Sequence, residues 1–268
     1  MLKLSQVRQQ FYRSLATVLV VSLAILAVGS LQSSQLKKLK NTSALGSPAE
    51  LNKQVELEKV NLKALQKLPT FGFNNLVADW TLLNFLQYFG DEEARQVTGY
   101  GISPEYFEVI IPHDPKFLDA YYFLSTSSSI YAAQPERSVK LMSQGLKSLS
   151  PKIAPRAYYI WRQKGIDELL FLGNAKAAKQ SFETAANWAS VYPNQESQQV
   201  AAASRKTANF IARNPNSKQA QAQAWLMVLT NAPDDRTRKI AISRIRGLGG
   251  NVFLTPEGSV DVRMPKED

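Results

Sequence analysis

The chain has 268 residues, 44% of them hydrophobic and 20% charged, which allows a sizeable core and excludes a wholly disordered polymer. It has no cysteine, which excludes disulfides, thiolate metal sites and a cysteine nucleophile. The net charge is +10, but Lys3, Arg8, Arg13, Lys37, Lys38 and Lys40 lie in the first 40 residues without one acid. That leaves 26 basic against 22 acidic residues in 41–268, so the overall charge makes no case for a nucleic-acid partner.

Ser14 to Leu36 carries no charge, and its apolar centre runs from Leu15 to Leu31. Twenty-three helical residues at about 1.5 Å each span roughly 34 Å, enough for a hydrocarbon core of about 30 Å. Residues 1–36 therefore read as a basic tail and a transmembrane anchor, with the lipid bilayer contacted through 14–36. A cleaved signal peptide, with Ala27, Val28 and Gly29 as its small-residue cleavage site, fits the same stretch. A buried globular helix fits worse, because no face is polar. The run exceeds the usual 7–15 apolar residues of a signal peptide, which favours retention. Bases on the two flanks nearly balance, so the positive-inside rule has little to act on. A cytoplasmic N-terminus with the rest exported, periplasmic or lumenal, is the simpler insertion, and makes this a single-pass protein of a plasma or thylakoid membrane.

Residues 37–48 are polar, small and basic, and read as a linker. Ser47, Pro48 and Glu50 then predict a helix start by a capping box with proline at the first position. The apolar spacing of Leu51, Val55, Leu62 and Leu65 carries that helix to Pro69. After Phe71, Gly72 and Phe73, a very apolar helix is predicted from Asn74 to Phe89, stopped by Gly90 and Asp91. Ser103 and Pro104 open a short helix, and Asp114 and Pro115 a longer one through Tyr131. Helices are further predicted from Pro135 to Leu149, Pro155 to about Leu172, Asn174 to about Tyr192, and over 196–212, 217–230 and 234–247. Residues 49–248 thus form a mainly α helical-repeat domain. Residues 249–268 change character, with two short strands about Thr255, Pro256, Glu257 and Gly258 forming a small C-terminal β-hairpin and tail.

The pairs Asp114–Pro115, Ser150–Pro151 and Tyr192–Pro193 punctuate the helices at a repeat-like interval. Between them, Phe171 to Ala185 resembles the second helix of a tetratricopeptide repeat, with small Ala178, large Phe182 and small Ala185 in that family's spacing. Ser138, Met142 and Gly145 occupy the equivalent places one unit earlier. The match covers 114–193, with a degenerate third unit over 196–230. Trp161 and Gly165 meet the usual first-helix pattern only in part, and a non-repeat helical bundle is the alternative. The resemblance implies antiparallel helix pairs, an α-solenoid or bundle. Asn75 to Trp80 followed by Phe85 to Asp91 also resembles membrane-anchored, tetratricopeptide-like proteins of cyanobacteria, which implies a binding or assembly factor.

The residues offer little catalytic machinery. His113 is the only histidine, so no multi-histidine metal site exists, and it sits where a polar turn residue is expected. Gly99 and Gly101 lack the strand–turn–helix setting of a dinucleotide fingerprint, and there is no Walker sequence. Asp79, inside the most apolar helix, is the one candidate for a buried carboxylate of unusual chemistry; a structural pairing is the ordinary reading. Neither a metal nor a cofactor is called for.

Two surfaces suit a partner. Tyr121, Tyr122, Arg156, Tyr158, Tyr159, Trp161 and Arg162 fall on the first helices of successive pairs, which in tetratricopeptide-like folds line the concave groove. Aromatic and arginine side chains are favoured interface anchors, although most such aromatics are core. Arg236, Arg238, Lys239, Arg244 and Arg246 cluster on the last helix and suit headgroups or an acidic partner, or simply a solvated face. The expectation is a non-enzymatic, membrane-anchored scaffold or assembly factor for proteins that are themselves membrane-associated. The alternatives are a structural subunit of a larger membrane complex, or a ligand-binding or enzymatic helical domain using Asp79.

Overall fold

The computed structural model describes residues 47–215, 217–254 and 260–265, together with Leu19, Val21, Ser22, Val28 and Gly29. The expected anchor at 14–36 and linker at 37–48 therefore lie almost wholly outside the described residues. Among the described residues no helix is long and apolar enough to cross a membrane. Contacts divide the chain after Ser47, and the larger unit begins at Pro48.

That unit is mainly α. In chain order it has α1 (Pro48–Leu65), α2 (Asn74–Gly90), α3 (Glu92–Thr98), α4 (Ser103–His113) and α5 (Leu118–Ser125). A π-helix (Thr126–Tyr131) follows directly, then α6 (Pro135–Leu146), α7 (Tyr158–Leu170), α8 (Ala175–Ala189) and α9 (Gln195–Arg213). The chain ends in α10 (Lys218–Thr230), α11 (Asp235–Gly247) and the strands β1 (Asn251–Leu254) and β2 (Val260–Arg263).

Side-chain caps explain five of the eleven α-helix starts among the described residues. Asp91, Asn174, Asn194, Ser217 and Asp234 each accept a hydrogen bond from the backbone N–H three residues on, at 2.9–3.2 Å. The Asp91 cap opens α3 directly after the stop at Gly90. The single helix expected from Asp114 begins four residues late. The Asp114 carboxylate accepts from the Lys116 N–H at 2.9 Å, a local turn that competes with the helix. Likewise α7 starts at Tyr158 rather than Pro155, because Arg156 takes a φ of 72°, outside the helical region.

The largest core cluster joins α2, α4, α5 and α6, and at its centre is the fully buried Phe85. Its ring lies 4.8 Å from Phe107, 5.5 Å from Phe89 and 5.7 Å from Tyr106. Small residues set the close approaches. A methyl group at Gly145 would fall 2.7 Å from the Tyr121 ring carbon bearing the hydroxyl, so α6 can meet α5 only through glycine. One at Gly165 would be 3.0 Å from the Phe182 ring, which fixes how closely α7 and α8 pack.

Successive helices α6, α7, α8 and α9 pack each on the next, and α5 lies against α7. The succession then turns. α10 packs on α11, the π-helix and α7, where Trp225, Phe171 and Ala133 share a second core. The hairpin pairs Val252 with Val262 and rests on α11, so it completes this core. Residues 255–259, the expected turn, lie outside the described residues.

Candidate functional site

Four of the seven aromatic and arginine residues expected at a partner surface reach the surface of one groove. It lies between α5 and α7, has a volume of about 560 Å³, and is also lined by Val200 of α9. Leu118, Tyr121 and Tyr122 form one wall; Tyr159, Ile160, Gln163 and Ile166 form the other. Tyr122 is 70% exposed and Tyr159 is 38% exposed, while Tyr121 is buried with its hydroxyl donating to the Pro115 carbonyl at 2.9 Å. Tyr121 therefore supports the groove from below.

Two of the seven are elsewhere. Tyr158 is buried and shares a 3.1 Å hydrogen bond with Ser197, which makes it a core contact between α7 and α9. Trp161 points to the opposite side of α7, edge-on to Trp188 at 5.9 Å, and lines a separate hollow with Lys164 and Gln180. Tyr158 and Tyr159 are adjacent in a helix, so only one can face the groove, and the expectation that both do is corrected.

The groove lining carries charges of both signs, among them the exposed Asp119 of α5 and Arg156. Arg156 contacts Glu196 at 3.4 Å, and Glu196 also accepts from the Tyr159 hydroxyl at 2.8 Å. Burial raises the Tyr159 phenol's pKa, and the bond to Glu196 acts in the same direction, so the hydroxyl stays a donor. Arg162, half-buried in the same wall, has no hydrogen-bond or ion-pair partner among the described residues. A guanidinium so placed offers its N–H groups to a carboxylate or carbonyl brought by a partner.

Beneath the groove lies a polar centre that the sequence does not announce. Asp167 of α7 is fully buried, and its carboxylate accepts from Ser125 at 2.9 Å, Ser129 at 2.6 Å and Ser138 at 2.9 Å. Those serines come from α5, the π-helix and α6, so one carboxylate ties three elements to α7. Gln163, in the groove wall, donates to the Ser125 hydroxyl at 2.8 Å and links the surface to this centre. Burial pushes the Asp167 carboxyl up to about 6, against the lowering effect of its hydroxyl donors. The wider turn of the π-helix carries Ser127, Ser128 and Ser129 to the interior, a distortion often found beside functional sites. The one available signal is the run of serine and threonine at 125–129, too polar for the interior of a helix pair unless it meets a charge.

Asp79 is not the buried acid. It lies on the exposed side of α2, because Ala78, Thr81, Leu82 and Phe85 define the face turned to the core. The enzymatic alternative built on a buried Asp79 thereby loses its premise. His113 is half-buried at the end of α4, with Nδ1 2.7 Å from the Val109 carbonyl. Among the described residues, no three acidic or histidine side chains come together as metal ligands would.

The basic residues of α11 are largely engaged within the fold. Arg238 pairs with Asp235 at 2.7 Å, Arg244 with Glu136 at 2.6 Å while lying over the Trp225 ring, and Arg246 donates to the Val252 carbonyl at 3.3 Å. Arg236 and Lys239 remain exposed. The cluster thus docks α11 onto α6 and the hairpin as much as it offers charge to solvent.

Comparison with family models, curated proteins and solved structures finds no match to this chain.

Proposed function

We propose that this chain is a non-enzymatic, membrane-anchored scaffold or assembly factor that holds a segment of another protein in the α5–α7 groove. The observation behind this reading is the groove itself: exposed Tyr122 and Tyr159 line a largely apolar hollow together with Asp119 and with Arg162, which has no partner among the described residues. Rigid aromatic anchors beside an arginine are the composition of interface hot spots. The Asp167 centre supports the reading, since it clamps both groove walls through Ser125 and Gln163 and so presets the shape a partner meets. The helix pairs α5/α6 and α7/α8, with Gly145, Gly165 and Ala178 at their close approaches, favour a tetratricopeptide-like arrangement in which this groove is the concave side. The apolar run at 14–36 supplies the anchor and restricts partners to the same membrane.

The test compares the wild type with a Tyr122→Ala/Arg162→Glu variant, both recovered from native membranes in mild detergent. A partner protein is expected to co-purify with the wild type and to fall at least tenfold with the variant, while far-UV circular dichroism stays unchanged. Recovery of the same proteins by both forms would count against the groove.

A further inference from the structure

The helix α2 is apolar on two opposite faces. Ala78, Leu82, Phe85 and Tyr88 face the core, yet Leu76, Trp80, Leu83 and Leu86 form a second stripe that stays exposed. The turn before it adds Phe71, 85% exposed, and Phe73, 65% exposed. Phe71 has a φ of 49° and Gly72 one of 90°, a left-handed pair that turns the chain so sharply that both rings project outward. From Leu68 to Gly90 the only charged residue is Asp79. Asp79 and Gln87 are exposed on this side as well, so the outer face is apolar with a polar edge; soluble monomers rarely leave a contiguous apolar patch above a few hundred Å².

We infer that this outer face of α2, with the Phe71–Phe73 turn, lies in the interfacial layer of the membrane that the N-terminal apolar run enters. The inference rests on the anchor reading of residues 14–36. Two features select the bilayer over other occupants. The stretch from Lys37 to Ser47 is eleven residues, about 38 Å at full extension, so a unit held by the anchor stays within reach of the lipid surface. The face also has the chemistry of that layer: tryptophan and phenylalanine, which favour the headgroup–acyl boundary, preceded in the chain by exposed Lys63 and Lys67, which suit anionic headgroups.

The chain has no native cysteine, so single labels can be placed cleanly. The full-length protein is reconstituted into vesicles of phosphatidylcholine and phosphatidylglycerol with Leu83→Cys, Phe73→Cys or, as the control, Lys206→Cys, each carrying an environment-sensitive fluorophore. Flotation reports the anchor, brominated lipids report contact with the bilayer, and pyrene at the same cysteines reports contact between copies. The expected result is flotation of all three forms, with labels at 73 and 83 quenched several-fold more than the label at 206. Flotation with equal, weak quenching at all sites overturns the inference and leaves the anchor intact. Excimer emission at 83 without lipid quenching overturns it in favour of a second copy as the cover. Failure to float removes the anchor reading and the inference together.

Discussion

Truncating Phe85 to alanine is expected to cost about 4 kcal/mol of stability, whereas Trp80→Ser on the same helix is expected to change it by less than about 0.5 kcal/mol. Phe85 is fully buried and its ring meets Phe89, Phe107 and Tyr106 on three sides. Removing it leaves a cavity where α2 meets α4, lined by rings too constrained to collapse into it. Trp80 is 61% exposed on the other side of the helix. Chemical denaturation of the detergent-solubilised chain, read by far-UV circular dichroism, compares the two directly. A loss at Trp80 equal to that at Phe85 would mean that the outer face of α2 is covered within the chain itself.

The second large effect is in pH. An aspartate whose folded pKa is about 6, against an unfolded value of about 3.9, takes up a proton on folding within that window. Its contribution to stability is fully present below about pH 4 and is lost as pH rises through about 6. Two units correspond to roughly 3 kcal/mol. Asp167→Asn keeps the shape and removes the titration. The stability of the wild type relative to this variant is therefore expected to rise by about 3 kcal/mol as pH falls from 7.5 to 4. A difference that stays level across that range would show that the carboxylate is not held, desolvated, among Ser125, Ser129 and Ser138. Those serines bridge α5, the π-helix and α6 to α7, so the titrating carboxyl sits where the groove walls join.

Much of the fold is legible in the sequence. Caps such as Asn174 and Asp234, and prolines at 48, 104 and 135, announce helix starts through local hydrogen bonding and fixed φ, and these elements fall where the residues put them. What is not legible depends on distant partners. The π-helix lies in a stretch of which Ser129 meets Asp167, and that carboxylate lies 29–42 residues from the three serines it holds, so no local pattern encodes the meeting. Asp79 misleads for the complementary reason. Leu76, Val77, Ala78, Trp80 and Leu82 put apolar side chains all round the helix beside it, so periodicity does not tell the buried face of α2 from the exposed one. In the groove, Tyr122, Tyr159, Arg156 and Arg162 are identifiable by type and spacing, whereas Tyr158 and Trp161 are separated from them only by the rotation of α7.

Whether the α5–α7 groove holds a protein is tested most directly by photo-crosslinking in native membranes. A benzophenone amino acid replaces Tyr122, with a control at the exposed Lys206 of α9. A discrete protein adduct is expected from position 122, absent from position 206 and lost when Arg162→Glu is added. Adducts of lipid alone at 122, or the same protein adducts from both positions, would contradict a protein-binding groove.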